Sequence, residues 1–150
     1  MKFTRLALAA TLAAAGTGFA SSAFAQPANE QFIPLLSYRT GQFAPLGIPW
    51  ADGKQDYLKL VNAKGGINGV KIAFEECETA YDTSRGVECY ERLKSKGSGA
   101  SGFDPQSTGI TFAVTDKAPI DKVPVVTAGY GLSQSADGRV FEWNFPLLAN

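Results

Sequence analysis

Apolar and polar positions along the chain follow two different periods. From Pro49 onward, Trp50, Tyr57, Leu58 and Val61 recur at i, i+7, i+8 and i+11. That spacing predicts one stripe of an amphipathic helix facing a sheet. Pro49 suits a first helical position and Gly65-Gly66 a left-handed stop, so the helix is expected to run from Pro49 to near Lys64. After the turn Asn68-Gly69, Val70, Ile72 and Phe74 alternate with Lys71 and Glu75, the period of a strand whose two faces differ in burial.

The same procedure extends to both sides. Phe32 to Tyr38 reads as a buried first strand, with Pro34 either delaying its ladder or making it irregular. Residues 39–48 have glycines and a proline but no period, and read as a loop. Glu75, Glu76 and Glu78 are expected to form a solvated acidic face, since alternating side chains do not converge on a cation. Asp82 or Thr83 should cap a second helix with Val87, Tyr90 and Leu93 inward. Gly97 to Gly102 matches G-x-G-x-x-G, but it follows a helix instead of a strand. It is therefore expected to be a helix stop leading into a short third strand that ends at Phe103. Asp104 to Lys117 reads as a third helix, with Asp104-Pro105 at its cap and first turn, Ile110, Ala113 and Val114 inward, and Pro119 as its stop. Lys122 to Thr127 gives a fourth strand, and Arg139 to Leu148 a fifth strand or edge segment. Strands alternating with helices through short connections predict an α/β fold with a doubly wound parallel sheet.

Composition adds exclusions. The 150 residues are 45% apolar and 19% charged, suited to one domain, and contain no histidine, so the commonest general base and metal ligand is missing. Lys2 and Arg5 precede an apolar run ending in Ala23-Phe24-Ala25, the layout of a signal peptide over residues 1–25, leaving a domain over 26–150. Loss of that leader removes two basic residues and leaves a formal charge of -2, which gives no support for nucleic-acid binding. Export makes a Cys77–Cys89 disulfide chemically possible; two buried free thiols are the alternative. Catalytic residues, a metal site and a cofactor are not expected. At the carboxyl edge of the sheet the chain supplies Asp104, Ser107 and Thr108, then Ala128, Gly129 and Tyr130. These groups can bind a small zwitterion, but read alone they are accounted for more readily by helix capping and core packing.

The segment NAKGGINGVKI, Asn62 to Ile72, resembles the helix, turn and strand near the start of the periplasmic substrate-binding proteins of branched-chain amino-acid type ABC transporters. The resemblance runs from about Gln31 to the last residue. It implies the amino-terminal lobe of a two-lobed type I periplasmic binding protein, with the second lobe absent from these 150 residues. It also implies ligand contacts from the loops after strands three and four. These are Ser107 and Thr108 within FDPQSTG, and Ala128, Gly129 and Tyr130 within TAGYG, with a carboxylate or amide oxygen of the ligand held at Ser107 and Thr108. Two positions depart from the family. Asp104-Pro105-Gln106 replaces its usual serine-rich turn, and Leu46 stands where the first loop often offers an aromatic ring. The implied function is a monomeric, non-enzymatic periplasmic receptor. It would deliver a small polar solute, such as an amino acid, an amide-like compound or a carboxylate, to the permease subunits of an ABC importer. An exported α/β enzyme and a ligand sensor module of the same fold are the alternatives.

Overall fold

Adjacent leucines on the first strand, β1 (Glu30–Ser37), enter two separate cores, because successive side chains of a strand point to opposite faces of its sheet. Leu35 packs with Leu58 and Ile72, flanked by Ile33, Val61 and Phe74. Leu36 packs on the other side with Cys89, Tyr90, Phe103, Ile110, Val114 and Val125. A strand buried on both faces needs cover on both, which is the doubly wound α/β arrangement the sequence predicts. The computed structural model describes residues 30–128 and 136–147, so the expected leader, residues 1–25, lies outside the described residues.

β1 pairs in parallel with β2 (Lys71–Glu78) along its whole length, from Glu30 opposite Lys71 to Ser37 opposite Glu78. On its other side the expected third strand is reduced to isolated bridges, Phe32 with Ala100 and Leu35 with Asp104. Pro34 supplies the reason. Phe32 donates its N–H to Ser98 Oγ at 3.1 Å and accepts from the Ser101 N–H at 2.9 Å, so this side of β1 faces the segment from Ala100 to Asp104. Two residues on, Pro34 faces the same way with no N–H to give. Phe103 then bridges Val125 of β3 (Val125–Thr127), which pairs in parallel with β4 (Asn144–Pro146). Two parallel two-stranded sheets, β2–β1 and β3–β4, are thus linked side by side through the isolated bridges of the segment from Ala100 to Asp104.

The first helix, α1 (Ala44–Ala63), starts five residues before the expected Pro49, which lies inside it; Pro45 takes the first-turn position instead. The stripe also differs. Gly47, Ala51 and Leu58 are buried, whereas Trp50 is 45% and Tyr57 65% exposed. The close contact belongs to small residues: a Cβ on Gly47 would lie 2.0 Å from the Tyr38 carbonyl oxygen, so the first turn of α1 rests against the end of β1. At the far end Gly66, at φ +85°, follows the cap at Lys64 as the sequence predicts.

The second helix, α2 (Thr83–Leu93), is capped by Asp82, whose carboxylate accepts the Arg85 N–H at 2.9 Å, and it buries Tyr90 and Leu93. The third, α3 (Thr108–Val114), is shorter than expected, with Ser107 and not Asp104 at its cap. Pro119 lies in the first turn of a separate helix, α4 (Ala118–Asp121). Cys77 and Cys89 form the disulfide, with Cα atoms 5.9 Å apart, joining β2 to α2. The acidic run is not a solvated face. Glu75 pairs with Arg92 and Lys96, Glu76 with Arg39 and Gln55, and Glu78 accepts N–H groups from Arg39, Thr40 and Ala80. No helix among the described residues is long and apolar enough to cross a membrane.

Candidate functional site

Loops that leave successive strands at their carboxyl ends converge on one cavity of about 130 Å³. Tyr38 comes from the end of β1, Tyr81 from the turn after β2, Gln106, Ser107 and Thr108 from the loop after the bridging segment, and Ala128 from the end of β3. Trp50 reaches the cavity from α1. Parallel sheets place the carboxyl ends of their strands on one edge, so residues far apart in sequence meet there without any special contact between their loops.

The aromatic wall is built by a strained turn. Ala80 and Tyr81 both have left-handed backbones, φ +51° and +62°, uncommon for residues with a side chain. Hydrogen bonds hold them: the Thr79 hydroxyl donates to the Ser37 carbonyl at 2.8 Å and accepts the Tyr81 N–H at 3.2 Å, and the Asp82 N–H donates to the Thr79 carbonyl at 2.8 Å. The turn sets the Tyr81 ring edge-on to Tyr38, with centroids 5.1 Å apart, and against Phe43 at 4.6 Å. Burial, then the neighbouring Tyr81 and Asp104, push the Tyr38 phenol above its ordinary value, so it stays neutral at physiological pH.

The polar wall is Gln106-Ser107-Thr108. Ser107 Oγ accepts the Ile110 N–H at 3.4 Å as a cap, which leaves its hydroxyl hydrogen to donate elsewhere. Beneath it the Thr111 hydroxyl bonds the Ser107 carbonyl at 2.8 Å and meets the Thr127 hydroxyl at 3.1 Å. The Thr115 hydroxyl bonds the Thr111 carbonyl at 2.8 Å, and Asn144 Nδ2 donates to Thr115 at 3.1 Å. This buried polar chain ties the start of α3 to β3 and β4. Gln106 differs from its neighbours: its backbone is left-handed (φ +54°), and its buried side-chain amide has no hydrogen-bond partner at either end among the described residues.

Of the residues singled out in the sequence, Ser107, Thr108 and Ala128 meet on this cavity. Asp104 lines the adjoining one, where its carboxylate is 2.7 Å from Lys54 and accepts the Gln106 N–H at 3.2 Å. Gly129 and Tyr130 lie outside the described residues. Sequence reasoning passed over Tyr38, Trp50, Tyr81 and Gln106. The position of Tyr38 and Tyr81 just after their strands was the available signal. Trp50 was absorbed into a helical stripe, and it supplies the aromatic ring that Leu46, 67% exposed, does not.

Comparison with known proteins places the chain in a family and a fold. A family model described as "Periplasmic binding protein" matches residues 30–150. A solved structure described as an ABC transporter permease from the Pseudomonas fluorescens group is similar at 41% identity and TM-score 0.75, covering 80% of this chain and 30% of that one. The branched-chain amino acid transporter substrate-binding protein LivJ from Streptococcus pneumoniae, solved with isoleucine, is similar in fold at 21% identity and TM-score 0.65, with 78% and 33% covered. A branched-chain amino acid ABC transporter protein from Thermus thermophilus, solved with valine, has 16% identity and TM-score 0.69, with 78% and 30% covered. The chain thus spans about a third of the length of these structures. None of the curated proteins matches the chain.

Proposed function

Because the chain belongs to the periplasmic binding protein family, we propose that it forms the amino-terminal lobe of an extracytoplasmic receptor that captures a small polar solute for an ABC importer. One observation carries this reading: four successive carboxyl-edge loops contribute to a single cavity with one aromatic and one hydrogen-bonding wall. Its volume of about 130 Å³ is below the roughly 300 Å³ at which pockets begin to enclose a ligand, as expected of one side of a cleft that a second lobe closes.

In this reading residues 1–25 are a signal peptide and residues 26–150 the lobe. Ser107, Thr108, Ala128, Gly129 and Tyr130 contact the ligand. Asp104 acts through the Gln106 loop, with its charge balanced by Lys54. The protein is monomeric, converts nothing, and hands its solute to permease subunits in the inner membrane.

Calorimetry on the full-length protein with a panel of amino acids, primary amides and small carboxylates tests this. Saturable one-to-one binding, with the solute recovered unchanged, is expected. Chemical conversion of any bound solute would instead identify an exported enzyme.

A further inference from the structure

Tyr81 is held beside the cavity at a cost that a chain reversal alone does not need. With Ala80 it makes two successive left-handed residues, where a simple turn would use glycine. Such strain persists only where the surroundings fix it, and it clusters at ligand clamps and switch regions. Here the Thr79 hydroxyl accepts the Tyr81 N–H at 3.2 Å and the Glu78 carboxylate accepts the Ala80 N–H at 2.8 Å. The ring so placed lies edge-on to Tyr38 and against Phe43, yet Tyr81 stays 37% exposed and lines the cavity. Trp50 reaches the same cavity from α1, a separate element, and is likewise partly exposed.

The kind of surface these two residues offer limits what they meet. An aliphatic solute needs only apolar area, which leucine or isoleucine supplies without a strained backbone. A ring prefers an offset or edge-to-face arrangement against another ring, so fixed aromatic partners favour an aromatic solute beyond the area that is buried. The wall is also fixed in advance: Tyr38, packed against Gly47 of α1, backs Tyr81 from the sheet side. No described residue of the lining is charged, so no ion pair from this lobe competes with the rings for the solute's orientation. Resting on the receptor reading above, we propose that the solute carries an aromatic ring, and that Tyr81 and Trp50 are the residues that distinguish it from a saturated body of similar shape.

The test uses the full-length protein and matched pairs that keep the polar head and differ only in the ring, titrated calorimetrically: phenylalanine against cyclohexylalanine, benzoate against cyclohexanecarboxylate, and benzamide against cyclohexanecarboxamide. Burial alone favours the saturated ring, which is the more apolar of the two. The aromatic member of a pair that binds should nonetheless bind roughly two- to tenfold tighter, the worth of a well-placed ring pair. Tyr81→Leu and Trp50→Leu should each weaken the aromatic member more than the saturated one and narrow that preference, whereas Tyr81→Phe, which keeps the ring, should retain it. Trp50 is a partly exposed helix position, so its variant remains informative if Tyr81→Leu fails to fold. A saturated member bound as tightly as its aromatic partner in every pair that binds, or equal weakening of both members in each folded leucine variant, overturns the proposal. So does saturable binding confined to aliphatic solutes of the wider panel, which leaves the receptor reading standing. No saturable binding by any solute overturns both.

Discussion

The Lys54 ammonium lies 2.7 Å from the Asp104 carboxylate, and the other oxygen of that carboxylate accepts the Gln106 N–H at 3.2 Å. One acid therefore ties the middle of α1 to the loop that forms the polar wall, with both side chains about three-quarters buried. Lys54→Met should change global stability by no more than about 1 kcal/mol, the usual range for a partly exposed pair. It should nonetheless speed hydrogen exchange at the Gln106 amide and weaken solute binding several-fold. Unchanged exchange at that amide would show that the pair does not hold the loop.

Gly47 sets where α1 meets β1. Its position leaves no room for a methyl group, which would meet the Tyr38 carbonyl oxygen at 2.0 Å and the Tyr38 ring at 2.3 Å. Backbone cannot yield as a flexible side chain does, so Gly47→Ala should destabilise by about 1–3 kcal/mol, in the range of overpacked sites, although alanine is the better helix former. It should also displace Tyr38 from the cavity. A denaturant melt shows the first effect; the control Gly53→Ala, where nothing lies within 4 Å, should be neutral or stabilising.

Reduction of Cys77–Cys89 should lower stability by roughly 3 kcal/mol, the entropy of a loop of about 13 residues in the unfolded chain, less any strain. Parallel melts with and without dithiothreitol measure it. A difference under about 1 kcal/mol would mean that packing of Cys89 in the α2 core, where it is 3% exposed, holds the two elements together unaided.

Local signals account for what was legible in the chain. Asp82 as a cap, Gly65-Gly66 as a stop and the alternation of Ile72 and Phe74 each depend on neighbours a few residues away, and each appears as expected. The failures depend on distant partners. Trp50 and Tyr57 fit a helical stripe by size, but the sheet end accepts only Gly47 and Ala51, so the aromatics turn outward. Glu75, Glu76 and Glu78 read as a solvated acidic face until Arg39, Arg92 and Lys96 arrive from elsewhere in the chain. Ser107, Thr108 and Ala128 could be placed on one edge because helix starts and strand ends gather there in a parallel sheet. Gln106 was missed because an unpaired buried amide is a property of the folded surroundings alone.

Acid should unfold the protein in a defined window. Burial pushes the Glu76 carboxyl up, but hydrogen bonds from Arg39 and Gln55 outweigh it and the net shift is downward. Glu78 is likewise lowered: burial opposes, and N–H groups of Ala80, Thr40 and Arg39 prevail with the Thr40 hydroxyl. Both carboxyls hold protons more weakly in the folded state than in the unfolded chain. Their contribution is therefore full above about pH 4.5 and is lost as pH falls through the lower folded values. The Tm should be flat near neutrality and drop below about pH 4.5, and Arg39→Met should flatten that drop; an equally steep fall in the variant would assign acid lability to other groups.

Ser107 and Thr108 should respond differently to loss of their hydroxyls. Ser107 Oγ already accepts the Ile110 N–H at 3.4 Å, so Ser107→Ala removes a helix cap and should reduce stability by about 1 kcal/mol whatever the ligand does. Thr108 is the first residue of α3 and lies on the cavity, where no bond within the fold occupies its hydroxyl among those described. Thr108→Val keeps its shape and removes only that donor, so stability should stay within about 0.5 kcal/mol of the parent. Binding should weaken by about 0.5–1.5 kcal/mol, the net worth of one neutral hydrogen bond, or about two- to tenfold in Kd. Paired melts and titrations of the full-length variants separate the two effects. A Thr108→Val protein that binds its solute as tightly as the parent would remove Thr108 from the ligand contacts and leave the polar wall to Gln106 and Ser107.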